Sequence, residues 1–193
     1  ALPILDIGVL PDVSLAEVKK IIADSGKFNI KPHYMDKEDV YDFDCYHKNG
    51  MALDIFLHKE EGGKFIAGVD HEPEVLKWEF DPFGLKPFEI NGESYMIPDN
   101  PEHYLETVYG PNWKTPDKAF VTTFCAPNLQ GGFTTLRKCY AYYYIFYSLF
   151  HNEHEKVERF CDEVLTHEPN NALMLQVKSY IAGDVGGQMS LAF

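Results

Sequence analysis

The alternation of hydrophobic and polar positions predicts strands and one helix in the first seventy residues. Ile4 to Leu10 is a short apolar run, typical of a buried strand, that is interrupted by Asp6. The residues at positions 15, 18, 21 and 22 are apolar at helical spacing, which predicts a helix from Leu15 to Ser25 with that face buried. Ser14 is the predicted N-cap of this helix, and Gly26 is predicted to terminate it.

A period of two residues predicts three antiparallel strands between residues 40 and 69. Asn49-Gly50 is a strong hairpin signal, and the strand that returns from it contains Asp54. Lys64 to Val69 completes the predicted meander. Asp42 and Asp44 alternate with apolar neighbours, which favours a solvated strand face, with a role as general base for an acceptor hydroxyl as the alternative.

The rest of the chain changes from irregular to helical. His71 to Asp117 is rich in Pro, Gly and Asn, and we expect an irregular region with one helix near Pro101 to Tyr109. Beyond Gly131-Gly132, the pattern predicts a helix from Thr134 or Thr135 to about Phe150, then a pair of helices at about 152–166 and 169–182 that resembles half a tetratricopeptide unit. The predicted class is α+β: a mixed sheet with flanking helices in residues 1–120, and a C-terminal helical region in residues 121–193.

Composition limits the classes of partner and compartment. The 193 residues carry a formal net charge of −13, which argues against binding to a nucleic-acid backbone. The four cysteines are widely spaced, as expected of reduced thiols, and no apolar run is long enough to cross a bilayer. These features favour a cytoplasmic protein. Because the sequence begins with Ala, an upstream targeting segment stays open.

Two carboxylates stand in apolar runs where an ionised group is costly. Asp54 lies within Met51 to His58, and Asp6 lies within Ile4 to Val9. Burial of an ionised carboxylate costs several kcal/mol unless a cation or hydrogen bonds compensate it. Two such carboxylates can share one metal ion, so Asp6 and Asp54 are the first candidates for a functional site.

Four stretches together resemble the LicD/fukutin family of phosphotransferases, which belongs to the nucleotidyltransferase-fold superfamily. The resemblance covers about residues 1–120. Its most distinctive part is Ile97-Pro98 followed by Tyr104-Leu105, Tyr109-Gly110 and Trp113. The other three stretches are Leu2-Pro3 with Asp6-Ile7-Gly8-Val9, then Leu53-Asp54-Ile55-Phe56, and Trp78-Glu79-Phe80 with Pro82-Phe83 and Leu85.

The resemblance implies a metal-dependent reaction. Family members transfer a phospho-substituent, such as phosphocholine or an alditol phosphate, from a CDP-linked donor to a hydroxyl of a glycan, in the biosynthesis of cell-surface polysaccharides. An Asp-x-Asp pair and a third Asp on a neighbouring strand bind Mg²⁺ or Mn²⁺. Asp6 matches the second member of the pair, and Asp54 matches the third carboxylate.

This chain departs from the family pattern at Ile4, where the family has the first Asp of the pair. The glycine-serine segment that normally precedes the pair is also absent. Either this copy is degenerate, or encoded residues are missing between Pro3 and Ile4 and before Ala1. We favour missing residues, because Leu-Pro is usually followed by further acidic residues in this family.

Further candidates have weaker support from the sequence. His58 shares the strand face of Asp54, and His71 follows the meander, so either could serve as a base or a ligand. Lys77 is a candidate for contacting the donor phosphate, as are Lys114 and Lys118. Two alternative functions stay open: a degenerate, non-catalytic domain that binds a partner protein through its C-terminal helices, and a nucleotidyltransferase that leaves NMP on its acceptor.

Overall fold

The computed structural model describes residues 4–183 and confirms the α+β class. Leu2-Pro3, and with it the question of residues missing after Pro3, lies outside the described residues. The strands are β1 Ile4–Val9, β2 Phe28–Ile30, β3 Asp42–His47, β4 Ala52–Leu57, β5 Lys59–Glu61, β6 Lys64–His71, β7 Glu74–Phe80, β8 Leu85–Ile90 and β9 Glu93–Pro98. The helices are α1 Leu15–Ser25, α2 Pro32–Met35, α3 Pro101–Tyr109, α4 Thr122–Cys125, α5 Thr135–Phe150, α6 His154–His167 and α7 Ala172–Ile181.

The described chain divides into two compact units. Residues 4–107 with 128–130 form the sheet unit, and residues 108–127 with 131–183 form the helical unit. This division differs from a boundary after residue 120, because residues 108–120 belong to the helical unit. The short return of residues 128–130 to the sheet unit is explained by hydrogen bonding, since the amide N–H of Glu79 donates to the carbonyl of Asn128 at 2.9 Å.

A four-stranded mixed sheet with the order β1-β4-β3-β2 carries the candidate site. β1 runs parallel to β4, and the other neighbours are antiparallel. Helix α1 covers one face of this sheet, where Val18 and Ile22 pack with fully buried Phe43 and with Leu53 and Ile55. The opposite face of β1, β4 and β3 therefore carries the alternate residues, among them the aspartates.

Helix α1 begins and ends where the sequence predicts. Ser14 and Glu17 form a reciprocal capping box, and Gly26 closes the helix with a φ of 60°. The predicted apolar face is only partly correct, because Val18 and Ile22 are buried whereas Ile21 is 65% exposed. A surface-lying helix buries a limited stripe, and Ile21 falls outside it.

The predicted meander is wrong in its third strand. β3 and β4 form the expected hairpin, but β6 pairs with β5 and β7 in a separate three-stranded sheet. The chain leaves the first sheet at His58, between β4 and β5. The two sheets approach closely at Gly68, where a Cβ atom would lie 2.8 Å from Cγ of Tyr41, too close for any side chain.

The region after His71 is more regular than the sequence predicts. β7, β8 and β9 occupy most of residues 74–98, and the expected helix follows as α3. β8 and β9 form a hairpin around Asn91-Gly92, both with positive φ, which is the same kind of turn signal as Asn49-Gly50. Pro87 lies within β8, and a proline argues against a strand in a sequence pattern. An edge strand of a two-stranded ribbon nevertheless tolerates it.

The helical unit matches its predicted elements closely. Thr134 caps α5, and Asn171 caps α7 through its side chain. α6 and α7 form the predicted hairpin. The core of the helical unit contains Ile145, Val157, Phe160, Val164 and Met174. Among residues 4–183, no helix is both long and apolar enough to cross a membrane.

Candidate functional site

Three aspartates lie in register across three adjacent strands, and we call them the carboxylate row: Asp6, Asp54 and Asp44. Asp6 on β1 is paired with Asp54 on β4, and Asp54 is paired with Asp44 on β3. Directly opposed residues on neighbouring strands point to the same face, with Cβ atoms about 4.5–5.5 Å apart. The family resemblance implies that Asp6 and Asp54 lie on neighbouring strands, whereas the sequence pattern places Asp44 on a solvated face.

Asp54 stands at the centre of this row in an unfavourable setting for a negative charge. Burial, followed by the neighbouring carboxylates of Asp44 and Asp6, raises the pKa of the Asp54 carboxyl to about 6. A hydrogen bond with the Asp44 carboxyl, which only protonated Asp54 donates, acts in the same direction. The ionised form that predominates at neutral pH is therefore held at a cost in free energy that a bound cation would relieve.

Lys31 supplies a positive charge at the β2 end of the row. Its backbone N–H donates to the Asp44 carbonyl at 3.1 Å, which continues the β2–β3 ladder, and its ammonium forms a short ion pair with the Asp44 carboxylate. Hydrogen bonding with Asp44 raises the pKa of Lys31 above its usual range. The sequence does not distinguish Lys31 from the other lysines of the chain. Only the pairing of β2 with β3 shows that it lies beside Asp44.

The donor chemistry of the row suits a hard divalent cation. Carboxylate oxygens are the ligands that Mg²⁺ and Mn²⁺ prefer, and the row offers oxygens from three side chains. As the side chains stand, however, no three His, Cys, Asp or Glu residues in the described part of the chain are grouped closely enough to hold a metal ion. Asp6 is exposed, whereas Asp44 is held by Lys31.

His58 lies in an aromatic setting instead of joining the row. Its side chain is 5% exposed, and its ring makes edge contacts with Phe80 and Phe83 at centroid distances of 5.5 and 5.6 Å. Burial lowers its pKa, and Nδ1 lies 3.1 Å from the carbonyl of Val9. A Cβ atom on Gly8 would lie 3.0 Å from Cε1 of His58, so the glycine of the Asp-Ile-Gly-Val stretch leaves room for this ring.

The other two predicted site residues also lie elsewhere. His71 ends β6, where it is paired with Glu74. Lys77 is engaged away from the row, since its Nζ lies 3.1 Å from both Glu61 carboxylate oxygens and 4.8 Å from the centre of the Tyr41 ring. Neither residue is brought to Asp54.

Asp42 belongs to a connection between the two sheets, which we call the inter-sheet joint: Tyr41, Asp42 and Asp70. The Asp42 carboxylate accepts the N–H of Asp70 at 2.9 Å, and the Asp70 carboxylate accepts the N–H of Tyr41 at 2.6 Å. Asp42 is only 8% exposed, so the expected solvated face is wrong at this position. A buried carboxylate that accepts a backbone N–H serves the structure and is poorly placed to act as a base.

Lys114 and Lys118 belong to the helical unit, whereas the carboxylate row belongs to the sheet unit. Trp78 and Phe80 are buried, in keeping with packing instead of ligand stacking. Cys45 and Cys161 are buried free thiols, Cys125 is half-buried and Cys139 is exposed. Comparison with protein-family models, with curated proteins and with solved structures found no match to this chain.

Proposed function

We propose that the carboxylate row is the centre of a metal-dependent phosphotransferase of the LicD/fukutin type. Its reaction transfers a phospho-substituent, such as phosphocholine or an alditol phosphate, from a CDP-linked donor to a glycan hydroxyl, with release of CMP. The observation that supports the proposal best is the register of Asp6, Asp54 and Asp44, together with the raised pKa of Asp54. Perturbed carboxyls gathered on one face are a frequent mark of functional sites.

Asp6, Asp54 and Asp44 would hold Mg²⁺ or Mn²⁺. The cation supplies charge neutralisation for the diphosphate of the donor and for the phosphorus centre as it is attacked. In the family pattern, the first aspartate of the pair stands where this chain has Ile4. In this proposal Asp44 supplies the third carboxylate instead, because it flanks Asp54 on the side opposite Asp6.

Lys31 acts on the donor in this proposal. Its ammonium stands beside Asp44 at the end of the row, where it can donate a hydrogen bond to a phosphate oxygen. An ammonium is a compact point charge that suits phosphate oxygens. The four-carbon side chain also lets Lys31 exchange the Asp44 carboxylate for phosphate without movement of the strands.

The test is release of CMP from CDP-choline, CDP-ribitol and CDP-glycerol by the purified protein, with Mg²⁺, with Mn²⁺ and with EDTA. We expect turnover only with metal, and a loss of about a thousandfold or more in Asp54→Ala, since several kcal/mol of charge stabilisation disappear. Asp12→Asn, in an exposed turn of the same unit, is the matched control and should retain full activity. Turnover that persists in EDTA and in Asp54→Ala would contradict the proposal.

Mass spectrometry of the acceptor separates this reaction from nucleotidyl transfer. The acceptor gains the mass of the phospho-substituent in a LicD-type reaction, whereas it gains NMP in a nucleotidyltransferase. Product that carries NMP would keep the metal site but assign it to the second chemistry.

One observation favours the non-catalytic alternative. Lys31 already neutralises part of the row, and no three ligating side chains are grouped around a metal position among the described residues. A degenerate domain of this kind would bind a partner protein through its C-terminal helices. Calorimetry with Mg²⁺ and Mn²⁺ distinguishes the two: heat of binding that is lost in Asp54→Ala supports catalysis, and no binding at millimolar metal supports the degenerate domain.

A further inference from the structure

A row of exposed aromatic rings runs along helix α5, and we call it the aromatic ladder: Tyr143, Tyr147 and His151. The three residues are spaced by four positions, so their side chains lie on one helix face. The Tyr143 and Tyr147 rings stack at 5.9 Å between centroids, and the Tyr147 and His151 rings lie 4.4 Å apart. Tyr143 is 59% and Tyr147 is 49% exposed, so both rings are open to a ligand.

The ladder borders a cavity in the helical unit. The cavity has a volume of about 380 Å³, and Tyr147 belongs both to its wall and to the ladder. Tyr144 adds a second ring to the wall, and Ser148, Glu153 and Lys156 add polar groups. Binding sites for small molecules span roughly 300–1,000 Å³ and combine aromatic walls with a few placed polar groups.

Glu153 and Lys156 in the wall of the cavity are paired with one another, and Lys118 adds a further ammonium group. Lys156 donates to Glu153 at 2.8 Å, and this hydrogen bond, followed by that of Ser148, lowers the pKa of Glu153. The Glu153–Lys156 pair offers an acceptor and a donor side by side, which suits a neutral ligand that can hydrogen-bond to both partners.

Hydroxyl groups are the ligand chemistry that this wall fits. The ionised Glu153 accepts hydrogen bonds and the Lys156 ammonium donates them, so one hydroxyl can bridge the pair. The faces of the ladder rings carry negative charge density, which attracts the polarised C–H groups on one side of a sugar ring.

A protein partner fits this surface less well. The centres of protein interfaces are depleted in Lys, Glu and Ser, and four of the eleven residues that line the cavity are of these types. We infer that the aromatic ladder and the adjoining cavity bind a neutral oligosaccharide, with sugar rings stacked on Tyr143 and Tyr147 and hydroxyls hydrogen-bonded to Glu153 and Lys156. The inference rests on the helical unit alone and does not depend on the proposed phosphotransferase activity.

The experiment uses the full chain with four neutral probes: maltotetraose, cellotetraose, chitotetraose and mannotetraose. Saturation-transfer NMR identifies the probe that binds, and titration gives its Kd, expected at roughly 0.1–1 mM for an open site that buries few ligand atoms. Tyr143→Ala combined with Tyr147→Ala should weaken binding about tenfold or more, since two stacking contacts are lost. Circular dichroism verifies that this variant is folded.

Two matched variants separate stacking from general effects. Tyr147→Phe keeps the ring and should retain binding within about threefold. Tyr180→Ala removes an equally exposed tyrosine on α7, outside the cavity wall, and should bind as the unaltered protein does. The inference is overturned if none of the four probes binds or if the double variant binds equally well. It is also overturned if the double variant loses only a concentration-dependent self-association, because the ladder is then a contact between copies of this chain.

Discussion

Asp42 and Asp44 lie two residues apart on the same face of β3, yet the two ends of this face differ in what surrounds a carboxylate. At the joint, the Asp42 carboxylate accepts the backbone N–H of Asp70. The Asp70 carboxylate in turn accepts the backbone N–H of Tyr41. In the row, Asp44 faces Lys31 and the Asp54 carboxyl.

Burial raises the pKa of both Asp42 and Asp54, so a raised pKa alone does not separate structure from function. The groups that contact each carboxylate do separate a structural role from a functional one. A backbone N–H fixes a carboxylate in place and stabilises the fold, whereas neighbouring carboxylates destabilise it and provide a reason to bind a cation. This difference makes predictions of opposite sign for the two ends of the strand.

The largest expected effect on stability is at the joint. Asp42→Ala leaves the part-buried N–H of Asp70 without the carboxylate that accepts it, which costs about 2 kcal/mol of the free energy of unfolding. Asp42→Asn retains an oxygen that can accept this N–H and should cost much less. Urea denaturation of the two variants measures the difference. Equal losses would mean that the charge of Asp42, and not its hydrogen bond, stabilises the joint.

Metal binding should stabilise the row and leave the joint unaffected. At a tenfold excess of Mg²⁺ over its Kd, the free energy of unfolding rises by about 1.4 kcal/mol if the ion binds only the folded state. Thermal unfolding with Mg²⁺ and with EDTA measures this gain in the unaltered protein and in Asp54→Asn. The gain should vanish in Asp54→Asn and persist in Asp42→Asn. A gain that survives Asp54→Asn would place the cation elsewhere.

The pairing of Asp44 with Asp54 shows where sequence reasoning reached its limit. The Asn49-Gly50 signal predicts the hairpin correctly, but the loop between His47 and Met51 has three residues. A two-residue loop would shift the register by one and place Cys45, on the other face, opposite Asp54. The sequence therefore identifies Asp54 and its strand, while the neighbours of Asp54 depend on one residue of loop length.

Elements with strong local signals were predictable, and elements set by contacts far apart in the sequence were not. The capping box of α1 and the caps of α5 and α7 are encoded within four residues; α1 and α5 begin as predicted, and α7 begins at Ala172, three residues after its predicted start. The burial of His58 depends on Phe80 and Phe83, more than twenty residues away. The Lys31–Asp44 ion pair likewise requires β2 to lie beside β3, which no local pattern specifies.

Asp54→Asn, which removes the charge at the centre of the row, should raise the free energy of unfolding by an amount that depends on pH. The folded state raises the pKa of Asp54 from 3.8 to about 6, so it binds the proton more tightly than the unfolded state does. Stability contributed by the protonated form is therefore lost as pH rises through this window. Because the site is partly open to solvent, screening reduces the cost at pH 7.5 to about 1 kcal/mol, which Asp54→Asn should recover.

Urea denaturation of Asp54→Asn and of the unaltered protein at pH 4, 5, 6 and 7.5, without metal, checks this dependence. The two free energies should be close at pH 4 and diverge towards pH 7.5, with the variant more stable. Asp12→Asn serves as the control and should follow the unaltered protein at every pH. A variant that is less stable at pH 7.5 would show that ionised Asp54 stabilises the fold, and the contrast with Asp42 would fail.

The smallest expected effect tests whether Lys31 belongs electrically to the row. Lys31 lowers the pKa of Asp54, so Lys31→Met should raise that pKa above about 6 and cost about 0.5 kcal/mol at pH 7.5. NMR titration of the Asp54 carboxyl carbon measures the first effect directly. Lys20→Met, which removes an exposed ion pair with Asp24 on α1, is the control and should leave the pKa of Asp54 unchanged. If Lys31→Met also leaves that pKa unchanged, the ammonium acts on Asp44 alone, and binding of a phosphate group by Lys31 loses its electrostatic basis.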